Sequence, residues 1–243
     1  MKIRHIGSVN STNTYLKEHP EEVDSMTMLV AREQYAGRGQ RGNFWEAEPG
    51  KNLTFSFRFK PEGLKPIEQF AISEAVALAI TDYLKEEFDP KVKWPNDIYV
   101  GNRKIAGILI EHSIMGNEIS NTIVGIGLNI NQTDFRSDAP NPVSMSQLSG
   151  MEYNLEEEAS RLGACLECRL ASIVEEDGRN LNHRDYLQKL WRNDGAFHPF
   201  VDNRNGETFQ GRIEDVEPSG LLVVKKESGH ADRFAFKEVS FVI

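Results

Sequence analysis

Three short segments hold residues whose types and spacing can do chemistry. The first is Gly37-Arg38-Gly39-Gln40-Arg41-Gly42-Asn43-Phe44-Trp45. Interleaved glycines let backbone N–H groups approach a ligand closely, and two arginines can grip phosphate or carboxylate in two-pronged fashion. The expectation is a mobile, ligand-gripping loop, set against a solvated Gly-rich surface loop. A P-loop is excluded: Lys and then Ser or Thr must follow the last glycine, and Asn43 and Phe44 stand there. The second segment is Lys93-Trp94-Pro95-Asn96-Asp97, followed closely by Lys104-Ile105-Ala106-Gly107-Ile108. Residues before proline are pushed toward extended geometry, so this stretch is not helix interior. Asn96-Asp97 reads as a turn, and in isolation its flanking lysines read as surface charges. The third, Val124–Ile130, alternates: Val124, Ile126, Leu128 and Ile130 face one way, and Gly125, Gly127 and Asn129 the other. A strand face lacking side chains at two positions leaves room for something flat, or else marks a bulge or tight packing.

Regular elements must hold these segments in place. Phe55, Phe57 and Phe59 alternate with polar residues, the period of a half-buried strand. Pro66 opens a helix with Ile67, Ala71, Ala75 and Leu78 on one face. Residues 105–111 and 122–130 read as further strands. Asn154 is a suitable N-cap for a long helix: Glu156, Glu157 and Glu158 lie in its first turn, and its apolar face runs Leu155, Ala159, Leu162, Leu166, Leu170, Ile173. A shorter helix is expected over 186–191. After Gly195 the character changes to short strand-like runs at 197–201, 208–213, 221–226, 233–236 and 239–242, broken by Asn205-Gly206 and Pro218-Ser219-Gly220. That spacing predicts a small β-barrel of about fifty residues beginning near residue 195.

Composition narrows the function classes. A chain of 243 residues accommodates one catalytic domain and a small appendage. Its net charge of −9 repels nucleic acid and anionic lipid. The start MKIRHIGSVNSTN has no apolar run of signal-peptide length, and AISEAVALAI is too short and too polar to span a bilayer, so a cytoplasmic protein is expected. Cys165 and Cys168 form a C-x-x-C within a helical pattern, without a second pair or a nearby histidine. Zinc needs four ligands, or three and a water. The two cysteines are therefore read as reduced, small apolar residues, and no metal site is expected.

Taken together, Ser11-Thr12-Asn13, the GRGQRGNFW loop, KWPND, KIAGILIE and GIGLNIN resemble the bacterial biotin–protein ligases in content, order and spacing. The resemblance covers roughly residues 5–195 strongly and the C-terminal part more weakly. It implies an α+β fold, a mixed sheet flanked by helices of the class II synthetase and biotin ligase type (residues 1–195), with a small SH3-like β-barrel over 196–243. It also implies activation of biotin with ATP and Mg²⁺ to biotinyl-5′-adenylate, and transfer of the biotinyl group to a lysine of a biotin carrier domain. The protein would be a monomer or homodimer, with no nucleic-acid or membrane partner.

Position by position, the resemblance assigns Ser11, Thr12 and Asn13 to the ureido ring of biotin. Gln34 and Arg38-Gly39-Gln40 fall to the loop closing over biotin and adenylate. Lys104 would meet the biotin carboxylate and the α-phosphate, with Gly107, Gly125 and Leu128 in the biotin pocket. Lys93, Asn96 and Arg41 would stand near the nucleotide phosphates, Asn129 near the adenine and Trp45 beside the adenylate. Residues 132–147 would form a mobile nucleotide-side loop. Lys104, Arg38 and Lys93 are the expected catalytic groups. The chain departs from the pattern at Gln40 and Asn43, where ligases of this family often carry arginines, and fewer cations there imply weaker adenylate retention. Members that also repress transcription carry an N-terminal helix-turn-helix domain, for which the first motif at Ser11 leaves no room. The rival expectations are a lipoate or octanoyl protein ligase, and a non-catalytic biotin or nucleotide sensor.

Overall fold

The computed structural model describes residues 1–136 and 141–242, with the Arg41 side chain outside the description. The chain runs β1 (Lys2–Val9), α1 (Thr12–Glu18), β2 (Thr27–Gln34), β3 (Leu53–Phe59), α2 (Phe70–Leu84), β4 (Pro90–Lys93), β5 (Asp97–Val100), β6 (Arg103–Met115) and β7 (Glu118–Leu128). Then come α3 (Met145–Ser149), α4 (Leu155–Ser172), α5 (Glu176–Lys189) and five strands, β8 (His198–Asp202), β9 (Glu207–Val216), β10 (Leu222–Lys226), β11 (Ala231–Phe234) and β12 (Val239–Phe241).

The first seven strands form one mixed sheet in the order β1-β2-β3-β7-β6-β5-β4, with β1 and β2 parallel and every other pair antiparallel. Its two faces are covered differently. Phe55, Phe57, Val124, Ile126 and Leu128 pack in the main core with α2 and α4. On the opposite face α1 crosses β3 and β7, and Leu16, Leu29 and Ile123 form a smaller apolar cluster. Strand β3 is thus not half-buried: Thr54 and Ser56 on this face are buried too, Ser56 against Thr12 and Asn13 of α1. The remainder of that second face, beyond α1, is where the cleft opens.

Local chemistry explains the helix limits. Asn154 Oδ1 accepts hydrogen bonds from the N–H groups of Glu156 and Glu157, capping α4 where three glutamates meet the positive end of the helix dipole. Pro66 begins a short 3₁₀ turn, Pro66–Glu68, and the α-helix starts at Phe70, which leaves Ile67 64% exposed instead of on the buried stripe. Helix α2 lies between the sheet and helices α4 and α5, so it is buried nearly all round. Helix α5 begins at Glu176, ten residues before the expected start, and Trp191 lies beyond its end. Its outward residues are so polar that only Asn182 and Tyr186 are buried, which left little periodic signal.

The five C-terminal strands form an antiparallel sheet in the order β11-β10-β9-β8-β12. Phe200, Phe209, Phe234 and Phe241 stack along it, and Phe200, Val224 and Phe234 join the same continuous core as Phe55. The sheet is tied to the rest of the molecule by Trp94 Nε1, which donates to Gly220 O at 3.1 Å, and by Phe70, whose ring fits against the missing side chain of Gly220. Cys165 is half-buried beside the core, whereas Cys168 is exposed, one helical turn further on the outer surface of α4.

Candidate active site

A cleft of about 620 Å³ opens on the sheet face beside α1, and all three segments singled out by their chemistry meet in it. Asn203, Lys237 and Ser240 of the C-terminal sheet complete one wall.

One end is built on the N-terminus of α1. Ser11 is only 4% exposed and occupies the N-cap, yet its hydroxyl makes no capping bond, so it is not consumed by the helix. Gln34 Oε1 accepts from Thr12 N at 2.7 Å, which leaves the Gln34 amide NH₂ as a donor. The hydroxyls of Thr12 and Ser56 lie 2.6 Å apart, and Ser56 Oγ donates to Asn13 Oδ1 at 2.5 Å. Asn13 Nδ2 donates in turn to Glu111 Oε2 at 2.8 Å. The other carboxylate oxygen of Glu111 takes Arg38 at 3.0 Å, and Arg38 also reaches Thr14 Oγ1 at 3.3 Å. These bonds fix the donors and acceptors presented at this end of the cleft.

The loop folds back on itself: Arg38 bridges Phe44, Gly39 N donates to Asn43 O at 2.7 Å, and Trp45 N donates to Gly37 O at 3.0 Å. This brings the Trp45 indole onto the strand face that lacks side chains. A Cβ built on Gly107 would lie 2.8 Å from Trp45 Cζ3, and one on Gly127 only 2.2 Å from Cε2. A Cβ on Gly125 would lie 2.2 Å from Asn13 Oδ1. The flat occupant of the glycine face is therefore the protein's own side chains. Gly107 and Gly127 are register partners across β6 and β7, as are Leu109 and Gly125. The Trp45 Nε1 is buried with no hydrogen-bond partner among the described residues.

The end of β4, the start of β5 and the start of β6 carry the charges. Lys104 Nζ pairs with Asp97 Oδ1 at 2.6 Å and lies 5.5 Å from the Trp45 ring. The Lys104 backbone is clamped from the outer side: its N–H donates to Asn141 O, and its carbonyl accepts from Val143 N. Lys93 Nζ sits between the rings of Tyr99 and Phe241, at 5.3 and 5.4 Å. Burial pulls the Lys93 pKa below the usual lysine value, the Asp97 carboxylate opposes the shift, and Lys104 reinforces it. Asn96 lines the cleft, but its amide is committed, Nδ2 donating to Ile108 O at 2.8 Å.

The cleft thus gathers Ser11, Thr12, Asn13, Gln34, Arg38, Gly39, Gln40, Trp45, Lys93, Asn96, Lys104, Gly107 and Gly125. It does not take in Leu128 or Asn129. Leu128 is fully buried on the helix side of the sheet, as its place in the alternation requires. Asn129 is 2% exposed and donates to Val143 O, tying the end of β7 to the segment before α3. The expected position of Arg41 falls on a side chain outside the described residues, as do residues 137–140 of the expected nucleotide-side loop. At that loop's start, Gln132 is held, its Oε1 accepting from Asn52 Nδ2 and Glu48 N. Asp97 and Glu111 were missed as site residues. Glu111 shares the odd-numbered positions of Gly107 and Leu109 on β6, and that parity is the signal that would have found it.

A sequence profile of the Biotin/lipoate A/B protein ligase family matches residues 6–129, slightly more than half of the chain. The chain belongs to this family. The family match covers the α1 motif, the loop, the charged turn and the β6–β7 ladder, which are the parts that build the cleft. Among its relatives is the bifunctional ligase/repressor BirA of Bacillus spizizenii, 27% identical over 84% of this chain and 62% of that protein. Another is the biotin–[acetyl-CoA-carboxylase] ligase of Paracoccus denitrificans, 27% identical over 92% of this chain and 94% of the relative. The chain spans less than two thirds of the length of the bifunctional relatives, down to 38% for that of Escherichia coli. In fold it is similar to the biotin protein ligase of Aquifex aeolicus solved with biotin and ATP, at a TM-score of 0.79 and 23% identity, covering 98% of this chain and 97% of the other.

Proposed function

We propose that this chain activates biotin with ATP and transfers the biotinyl group to a lysine of a biotin carrier domain. The observation that carries the reading is Lys104, clamped through its backbone and paired with Asp97 in the cleft where the family-matched segments meet. Attack of a biotin carboxylate on the α-phosphorus brings two anions together. At ~4 Å and a surface-like dielectric, one unit charge pair is worth about 4 kcal/mol, so a cation between them decides whether they meet. The Lys104 ammonium is ion-paired with Asp97 Oδ1 at 2.6 Å, and its three N–H donors can serve both the biotin carboxylate and the phosphate. Arg38 and Lys93 add positive charge at either side.

In the first step the carboxylate oxygen bonds to the α-phosphorus, and the bond to the β-phosphate oxygen breaks. Pyrophosphate leaves with the electron pair. Mg²⁺ would travel with ATP as part of the substrate, and the Asp97 carboxylate, already paired with Lys104, would be the hard oxygen donor nearest to it in the cleft. In the second step a neutral lysine amine attacks the acyl carbon, AMP departs and the amine loses a proton. The mixed anhydride is labile in water, and the Arg38–Trp45 loop is placed to exclude solvent from it.

The same reading takes the enzyme as cytoplasmic, a monomer or homodimer, without nucleic-acid or membrane partners, and takes the sheet after residue 195 as an SH3-like barrel domain. The family name also covers lipoate ligases, and the test discriminates between them. Incubation with ATP, biotin and a purified carrier domain should add one biotinyl group per acceptor, read by mass, with pyrophosphate release needing both small substrates. Modification with lipoate but not biotin, or release of no pyrophosphate, would reverse the proposal.

A further inference from the structure

Beside the loop stands the carboxylate that ends the KIAGILIE segment, a residue to which the sequence reading gave no role. Glu111 projects from β6 on the same side as Gly107 and Leu109, and its two oxygens are divided: Oε2 accepts from Asn13 Nδ2 at 2.8 Å and Oε1 from Arg38 at 3.0 Å. We propose that Glu111 is a positioning residue that sets the Asn13 amide for biotin and docks Arg38 beside it, so that one carboxylate couples vitamin recognition to the loop. This inference rests on the biotin ligase reading above.

The hydrogen-bond bookkeeping supports it. Ser56 Oγ is a donor to Asn13 Oδ1, so the hydrogen between the two hydroxyls comes from Thr12 Oγ1, which shares it with Gln34 Oε1 at 3.1 Å. The chain runs Thr12 to Ser56 to the Asn13 carbonyl, and from the Asn13 NH₂ to Glu111 Oε2 at 2.8 Å and, at 3.4 Å, to Leu109 O. Turning the Asn13 amide over would set its oxygen against Glu111, two acceptors face to face. The carboxylate therefore selects one amide orientation, and Oδ1 keeps a second lone pair for a ligand N–H. Exposed ion pairs by themselves contribute little, and Arg38 is 45% exposed. Glu111 is 27% exposed and shared with an asparagine that is 2% exposed, and this sharing distinguishes it from an ordinary surface pair.

The test uses the full chain and the variants Glu111→Gln, Glu111→Ala, Arg38→Ala and Glu111→Gln with Arg38→Ala, each checked by thermal melting. A glutamine still offers Asn13 a carbonyl oxygen but turns an NH₂ toward Arg38. Glu111→Gln should therefore bind biotin alone within about twofold of wild type, while its adenylate off-rate rises on the order of tenfold. Arg38→Ala should raise the off-rate similarly, and the double variant should be no worse than either single one. Glu111→Ala should in addition weaken biotin binding by about tenfold in calorimetry. Additive off-rates in the double variant, or wild-type biotin affinity in Glu111→Ala, would overturn the proposal. If the wild type binds biotin but makes no adenylate, the enzymatic reading fails instead, and the calorimetric comparison still decides the role of Glu111 at Asn13.

Discussion

The Trp45 indole lies so close to Gly127 that a methyl group at position 127 would come within 2.2 Å of Trp45 Cε2. The glycine is required by a neighbour, since β7 is ordinary extended strand there and any residue could adopt its backbone. Gly127→Ala should therefore expel the indole and shift its fluorescence to longer wavelength. It should weaken ATP binding on the order of tenfold while leaving biotin binding nearly intact. Unchanged emission with unchanged ATP affinity would contradict the placement.

Gly125 stands in the same relation to Asn13. Gly125→Ala puts a Cβ 2.2 Å from Asn13 Oδ1, and displacement of that amide should weaken biotin binding by about tenfold with ATP binding unaffected. On the proposed reading the two glycines would belong to a vitamin end and a nucleotide end, and calorimetry with each ligand separates them.

Much of this was legible in the sequence because local period and local chemistry coincided. The strands of the second sheet were readable from Asn205-Gly206 and Pro218-Ser219-Gly220, because turns of that kind are specified by a few adjacent residues. The Asn154 cap and the stripe behind it were readable for the same reason. What failed depended on distant neighbours. Whether Ser56 faces water or α1 is decided by how residues 12–18 cross the sheet, and its own alternation is silent on that. Leu128 was drawn to the cleft by its motif, although the alternation already set it on the face opposite Gly125 and Gly127. Asp97 looked like a turn residue until the register of β5 and β6 brought Lys104 to it.

His183 on α5 is held between Glu74 of α2, at 2.8 Å, and Asp215 of β9, at 3.0 Å, so it joins the helices to the C-terminal sheet. The Glu74 hydrogen bond raises the His183 pKa above 6.5, with Asp215 adding to the shift and burial opposing it. A group whose folded value is raised adds stability in full below its unfolded value, and that stability is lost as pH rises through the folded value. The melting temperature of wild type should exceed that of His183→Gln most at about pH 5.5, and the gap should narrow toward about pH 8.5. A gap that is flat or widens with pH would contradict the clasp.

Gln40 lines the cleft as a neutral residue, at a position where the sequence resemblance led to an expectation of arginine. Gln40→Arg should slow adenylate release, on the order of several-fold, by adding a cation beside the phosphate. Equal off-rates in wild type and variant would remove that position from adenylate retention.

The account turns on the ammonium of Lys104 joining two anions, and pyrophosphate exchange on Lys104→Ala tests it most directly. Loss of exchange by at least about a hundredfold, with a melting temperature close to that of wild type, is the predicted result. Exchange at a near wild-type rate in a folded Lys104→Ala protein would contradict it.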